Sequence, residues 1–372
     1  MAILEGTLPV HRIGQRLVEG FDGTLFVLAM MLTLLGLAAL FSASYDNPSR
    51  MMAQAVNLSV AFVAMWIFAQ LSPQLLLRFA VPAYLVGVAL LVGVALFGDI
   101  VNGARRWLTI AGFRFQPSEM LKIAMPMMLA WYFHRQESAL RLRHYFVSAV
   151  LLAVPVGLVL RQPDLGTAAL ICAAGGYVIF FAGIGWRVLG SLAAAFAAAL
   201  PLLWGFMHDY QRRRVLTLLD PTSDPLGAGY HIIQSTIAVG SGGLAGKGWL
   251  NGTQAHLEFI PERHTDFIFA VYSEEFGLIG NGVLLVLYAL LIGRGLMISA
   301  NAPTVFSRLL AGSIALMFFT YAFVNMGMVS GILPVVGVPL PFLSYGGTAL
   351  LTLYVGLGIL MSVHRHRKLV QT

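Results

Sequence analysis

Ten apolar runs, most of them close to the length of a membrane-spanning helix, divide this 372-residue chain, and no other feature constrains its fold as strongly. A helix of about 20 apolar residues crosses the hydrocarbon core of a bilayer. Inside that core a backbone has to satisfy its own hydrogen bonds, which a helix does. The runs lie at approximately Thr24–Ser44, Ala53–Leu71, Phe79–Phe97, Pro117–Phe133, Tyr145–Leu160, Thr167–Ala182, Val188–Phe206, Thr265–Ile292, Leu309–Met328 and Thr348–Val363, the fifth and sixth being short. Charged residues are 10% of the chain, against about 25% in a soluble domain. The reading is an all-α integral membrane protein with ten transmembrane helices. It forms a single polytopic domain over residues 1–372, with a large extracytoplasmic loop, residues 207–264, between spans seven and eight.

The first run follows Arg12 and Arg16 and ends in small residues, as a signal peptide would. It is too long for a signal-peptide core and reads as a retained first span. The lone cysteine, Cys172, lies in an apolar run and reads as a small buried hydrophobe without a disulfide partner.

Lys and Arg in short loops orient membrane proteins. With the N-terminus inside, the inner segments hold Arg12, Arg16, Arg78, Arg135, Arg141, Arg143, Arg187, Arg294, Arg308, Arg365, Arg367 and Lys368, which is twelve. The outer short loops hold Arg50, Arg105, Arg106, Arg114 and Arg161, which is five. Both termini are therefore expected in the cytoplasm. The outer basic residues work against this rule and cluster in residues 103–116 and 207–264. An anionic substrate such as a diphosphate would account for them, and so would anionic lipid headgroups or a partner protein.

Two outer segments are more than connections. Residues 207–264 contain a basic helix-like piece (Tyr210–Leu219), a turn cluster, an amphipathic piece (Tyr230–Val239) and a Gly-rich run (Gly240–Gly252). Loops of that length tend to carry function. The Gly-rich run is not a Walker A loop, because Ser241 and Gly248 stand where that motif needs Gly and Ser or Thr. It reads as a flexible loop that brings Lys247 near a substrate. Leu333–Gly347, with three prolines in apolar company, reads as a re-entrant or partly unwound piece.

Asp266 sits where this loop becomes helix. It is either a first-turn acid suited to the helix dipole, which would lower its pKa, or a base used in chemistry. Glu119 and Lys122 lie three apart on one helix face. They are either a neutralising ion pair or part of a site. Glu274 and Glu275 read as structural or partner-facing. Asn325 and the Gly327/Gly331 pair read as helix-packing features. His231, His256 and His264 lack the spacing of a zinc site, so no metal ligands are expected.

The segments Asp220–Gly280, Gly331–Leu351, Arg106–Ile123 and Arg161–Ala168 together resemble the SEDS family (shape, elongation, division and sporulation). The run PERHTDFIFAV looks more like the elongation branch than the division branch. The resemblance implies a peptidoglycan glycosyltransferase that polymerises lipid II, with an undecaprenyl-diphosphate-linked glycan as donor. It implies a class B penicillin-binding protein as partner, surrounding membrane lipids and no nucleic acid. It carries the catalytic role to Asp266 and polar cavity roles to Glu119 and Lys122, and it places Arg106 and Arg114 in the adjacent basic loop. Lys247 and Arg212 complete the substrate-binding candidates. No cofactor is expected, although a divalent cation would suit the diphosphate. A lipid II flippase and a non-catalytic scaffold are the competing readings.

Overall fold

The computed structural model describes residues 21–44, 47–101, 104–110, 113–136, 140–206, 209–224, 227–256, 259–260 and 262–367. A helix occupies each of the ten apolar runs. These are α1 (Gly23–Ala43), α2 (Pro48–Gln70), α3 (Pro73–Phe97), α4 (Pro117–His134), α5 (Leu142–Leu160), α6 (Leu165–Phe181), α7 (Trp186–Phe206), α11 (Ile268–Ala300), α12 (Val305–Val329) and α13 (Thr348–Arg365). Seven of them, α1, α2, α3, α5, α11, α12 and α13, are long and apolar enough to cross a membrane. Between α7 and α11 lie α8 (Asp209–Leu219), α9 (Ala228–Ser241) and the single turn α10 (Thr253–His256).

The helices begin where the sequence supplies caps. Asp22 accepts the Leu25 N–H, Ser72 that of Leu75, and Asp164 that of Thr167. Each satisfies an otherwise orphaned donor. Proline opens α2, α3 and α4, where its missing N–H costs nothing. Neither Gln116 nor Ser118 caps α4 through its side chain. Helices α4 and α12 are the most enclosed, and their side chains form much of the core with α11 and α13.

Three expectations need correction. The chain is not purely helical, because residues 99–115 fold into a three-stranded antiparallel sheet, β1 (Asp99–Val101), β2 (Ala104–Ile110) and β3 (Phe113–Phe115). Cys172 is exposed on the surface of α6 instead of buried. Gly331 lies beyond the end of α12 with φ +72°, so Gly327 and Gly331 do not form a helix-packing pair.

The segment between α12 and α13 is not helical, as its prolines foretell. Side chains of the neighbouring helices hold two of its carbonyls. Tyr288 of α11 donates to the Pro341 carbonyl at 2.6 Å, and Asn325 of α12 donates to that of Val338 at 2.7 Å. A Cβ added to Gly166 of α6 would meet the Val336 carbonyl at 2.7 Å, so the segment also presses on the start of α6.

The connections α1–α2, α3–α4, α5–α6, α7–α11 and α12–α13 gather at one end of the bundle. Arg263 donates to the Ala43 carbonyl, Arg106 to those of Gln162 and Pro163, and the Tyr345 N–H to that of His264. At the other end Arg294 grips Asp22 at 2.5 Å, with His364 at 3.4 Å.

Candidate active site

Helix α11 starts at Ile268, so Asp266 stands in the turn that precedes it, outside the spanning helix. The turn is tight: the N–H groups of Thr265 and Phe267 both donate to the Glu262 carbonyl. Glu262 itself holds φ +52°, a strained conformation for a residue with a Cβ. Asp266 is half-buried. Burial, aided by the neighbouring Glu262 and Asp164 carboxylates, pushes its carboxyl up to about 6. The expected lowering by the helix dipole is therefore overturned, because desolvation and like charge outweigh it.

Around Asp266 the structure gathers residues from distant parts of the chain. Asn325 of α12 donates to its backbone carbonyl at 2.7 Å. A Cβ added to Gly337 would stand 3.2 Å from its Oδ2. His231 of α9 stacks on the adjacent Phe267, with ring centroids 5.6 Å apart. Burial lowers the pKa of that imidazole, so it sits neutral beside the site despite Glu262 and Asp224.

Asp164 links this carboxylate to the basic strand. It caps α6 and accepts from Gln116 at 3.3 Å, and Arg106 of β2 lies 3.9 Å away. The Arg106 guanidinium also donates to Gln162 and Pro163, so it is held in place. Arg114 of β3 is exposed.

A second polar cluster lies on α4 and α12. Lys122 Nζ donates to Glu119 Oε1 at 2.6 Å and to the Tyr321 hydroxyl at 2.7 Å, and all three side chains are buried. Glu119 Oε2 has no hydrogen-bond partner among the described residues, and Glu119 lines an otherwise apolar groove of about 540 Å³ between α2, α3, α4 and α13. Tyr321 and Asn325 are four apart on α12 and so share one face. The same helix therefore serves Lys122 through Tyr321 and Asp266 through Asn325.

Two of the substrate-binding candidates are engaged elsewhere. Lys247 Nζ binds the buried Glu274 at 2.6 Å and Thr253 at 2.9 Å. Arg212 donates to the Trp204 and Gly205 carbonyls at the end of α7. The Gly-rich run is not a loose loop either, since its backbone is bonded into α11. The N–H groups of Lys247 and Gly248 donate to the carbonyls of Glu274 and Glu275, and those of Leu278 and Ile279 donate back to Gly243 and Leu244. Glu274 and Glu275 are buried and structural, the latter bonded by Ser42.

Sequence reasoning missed Asp164, Tyr321 and Asn325 as parts of this arrangement. Asp164 lies in the Arg161–Ala168 segment, and its position in that motif is the available signal. Tyr321 and Asn325 sit in an apolar helix where a lone polar residue is a weak cue.

The fold and site define a polytopic helical membrane protein with a loop-mounted, half-buried carboxylate and a separate buried Lys122–Glu119–Tyr321 cluster on α4 and α12. The sequence profile of the FtsW/RodA/SpoVE cell cycle protein family matches residues 23–369, and the chain belongs to that family. It is 51% identical over 350 residues to "Peptidoglycan glycosyltransferase MrdB" of Escherichia coli K12, covering 94% of this chain and 95% of that one. It is 37% identical over 375 residues to "Probable peptidoglycan glycosyltransferase FtsW" of Trichlorobacter lovleyi, covering 97% of each. Among solved structures it resembles Rod shape determining protein RodA of Thermus thermophilus, with TM-score 0.72 and 31% identity over 94% of this chain and 98% of that one. It also resembles a chain from "Structural coordination of polymerization and crosslinking by a peptidoglycan synthase complex", with TM-score 0.82 and 36% identity over the same shares.

Proposed function

We propose that Asp266 is the general base of an inverting glycosyl transfer that polymerises lipid II. The chain is a peptidoglycan glycosyltransferase, as the names of its near-full-length relatives indicate. One observation carries the choice of base: Asp266 is half-buried at the mouth of the bundle with its carboxyl raised to about 6. Such a group is ionised at neutral pH and is a stronger base than an ordinary aspartate.

In this reading the 4-hydroxyl of the lipid II GlcNAc attacks the anomeric carbon of the lipid-linked glycan. Its proton passes to Asp266 as the new C–O bond forms, and the bond to the diphosphate breaks. The α-linked donor becomes a β-1,4 product. In this reading the neighbouring Glu262 and Asp164 carboxylates form no bond to the sugar, so the displacement is direct. The departing diphosphate needs positive charge, which Lys122, Arg106 and Arg114 supply, with Glu119 setting the Lys122 position. Lys247 and Arg212 serve architecture, as their present partners suggest. A divalent cation carried by the diphosphate itself would share that charge, since among the described residues no cluster of three His, Cys, Asp or Glu side chains would hold one, and loss of rate on chelation would support it.

The reading places all ten helices across the membrane, with both termini in the cytoplasm and the Asp266 end outside. The gathering of five connections at that end supports this. A class B penicillin-binding protein docks on the apolar groove of about 350 Å³ between α11 and α12.

Purified full-length protein with this partner, supplied with lipid II, should make glycan polymer, and Asp266→Asn at matched folding should make none. Polymer from the variant at the wild-type rate would sink the assignment of the base. No polymer from the intact pair would redirect attention to lipid II transport or scaffolding.

A further inference from the structure

We propose that Asn325 and Ser344 are positioning residues for the transfer reaction, holding the Asp266 turn by its backbone so that the carboxylate stands in one place. This rests on the reading of Asp266 as the base. Three consecutive carbonyls of that turn are each captured from outside. The His264 carbonyl accepts from the Tyr345 N–H at 2.8 Å. That of Thr265 accepts from Ser344 Oγ at 2.6 Å. That of Asp266 accepts from Asn325 Nδ2 at 2.7 Å.

Both holders are themselves fixed. Asn325 Nδ2 also donates to the Val338 carbonyl at 2.7 Å, and Ser344 Oγ accepts the Leu340 N–H at 2.8 Å. The 331–347 segment and the Asp266 turn are thus tied together. The same segment presents Gly337, φ +73°, to the carboxylate itself. The carboxylate is held by its backbone on one side and by a close wall on the other.

The chemistry of Asn325 argues against simple packing. It faces two carbonyl oxygens, so only its NH₂ group fits there. Its Oδ1 is buried with no hydrogen-bond partner among the described residues, and the side chain is 0% exposed. An amide kept in a membrane helix for packing alone would be expected to satisfy both ends. Here one end is left unsatisfied while the other bridges the turn to the segment. Within the turn the Thr265 and Phe267 N–H groups and the Thr265 hydroxyl bond back, all to the strained Glu262. General-base transfer needs the carboxylate within hydrogen-bond reach of the attacking hydroxyl. A displacement of about 1 Å can cost roughly a hundredfold in rate.

The test is steady-state polymerisation by the full-length protein with its partner, across lipid II concentrations, for wild type, Asn325→Ala, Asn325→Asp, Ser344→Ala and Asp266→Asn. Thermal melting of each variant reports folding. We expect kcat to fall about 10- to 100-fold in the Asn325 and Ser344 variants while KM for lipid II stays within about twofold. Asn325→Asp should be at least as impaired as Asn325→Ala, since it sets a carboxylate against two carbonyls. If the Asn325 variants do not fold, Ser344→Ala alone decides. Wild-type kcat in the folded variants, or losses in kcat and KM that track melting temperature, would overturn positioning even where Asp266→Asn is dead. Activity in Asp266→Asn would instead overturn the underlying choice of base.

Discussion

In the proposed reaction Asp266 is the base, and its environment sets a pH dependence. Its carboxyl is held near 6 first by burial, then by Glu262, then by Asp164. A base must be unprotonated, so kcat is expected to fall as pH drops through about 6, tenfold per unit below it. Glu262→Gln should move this acid limb to lower pH, and Asp164→Asn should move it less far. Asparagine keeps the cap on Thr167 while removing the charge. A wild-type limb near 4 would mean that the carboxylate is solvated in the working enzyme. A stability prediction follows from the same shift. The folded-state pKa lies above the unfolded value, so this group's contribution is fully present below the unfolded value and is lost as pH rises through about 6. Asp266→Asn is therefore expected to melt at a higher temperature than wild type at pH 7.5, with the gap closing near pH 4, the trade of stability for function common at active sites. At this scale the sequence was half legible. A carboxylate at the edge of an apolar helix stands out in the sequence, as does the Glu119/Lys122 spacing. Asn325 does not, because it meets Asp266 across 59 positions and only the fold brings them together.

Among the elements, the ten helices were legible because apolar length is a strong signal, while the finer pieces were hidden for physical reasons. The sheet has strands of three, seven and three residues, too short for a period to show within a basic loop. The Gly-rich run reads as flexible in the sequence, yet its glycines serve close approach. Helix α11 breaks at Gly277, which adopts φ +64° and ψ −161°. At that break the carbonyls of Glu274 and Glu275 lose their helical donors, Leu278 and Ile279. The Gly-rich run supplies Lys247 and Gly248 N–H groups in their place, and accepts Leu278 and Ile279 through Gly243 and Leu244. Four backbone bonds thus replace the two missing helical ones, so the break leaves no orphaned groups. A Cβ at Gly277 or Gly246 would collide with the opposing backbone. Gly277→Ala and Gly246→Ala should each destabilise the protein by about 3 kcal/mol. Gly282→Ala, on the same helix with nothing within 4 Å of the added methyl, should be neutral or slightly stabilising. Thermal melting of the three variants in one detergent checks this, and equal melting would remove the Gly-rich run as a brace for α11.

For the whole molecule, the proposed partner raises the question of how a bundle buried in lipid would offer a specific surface to a second membrane protein. Lipid tails are as apolar as leucine, so a partner helix gains little from apolar contact as such and must fit by shape. The face of α11 and α12 offers shape: a groove lined by the bulky Leu285, Phe319, Phe323 and Ile332 and by the small Ala289 and Gly327. Phe319 and Phe323 stack with ring centroids 5.6 Å apart, making one wall a rigid ridge. The small residues let a helix approach closely. The groove is formed by the same two helices that bear the site, α11 beginning two residues after Asp266 and α12 carrying Asn325 and Tyr321. Occupancy there would therefore steady the two helices that Asn325 ties to the Asp266 turn. Ala289→Trp fills the groove from the exposed side of α11 without touching a residue of the site. It is expected to abolish co-purification with the class B penicillin-binding protein and to reduce polymerisation measured with the partner to the level of the chain alone, with melting unchanged. Partner retained at wild-type yield would move the docking surface away from α11 and α12.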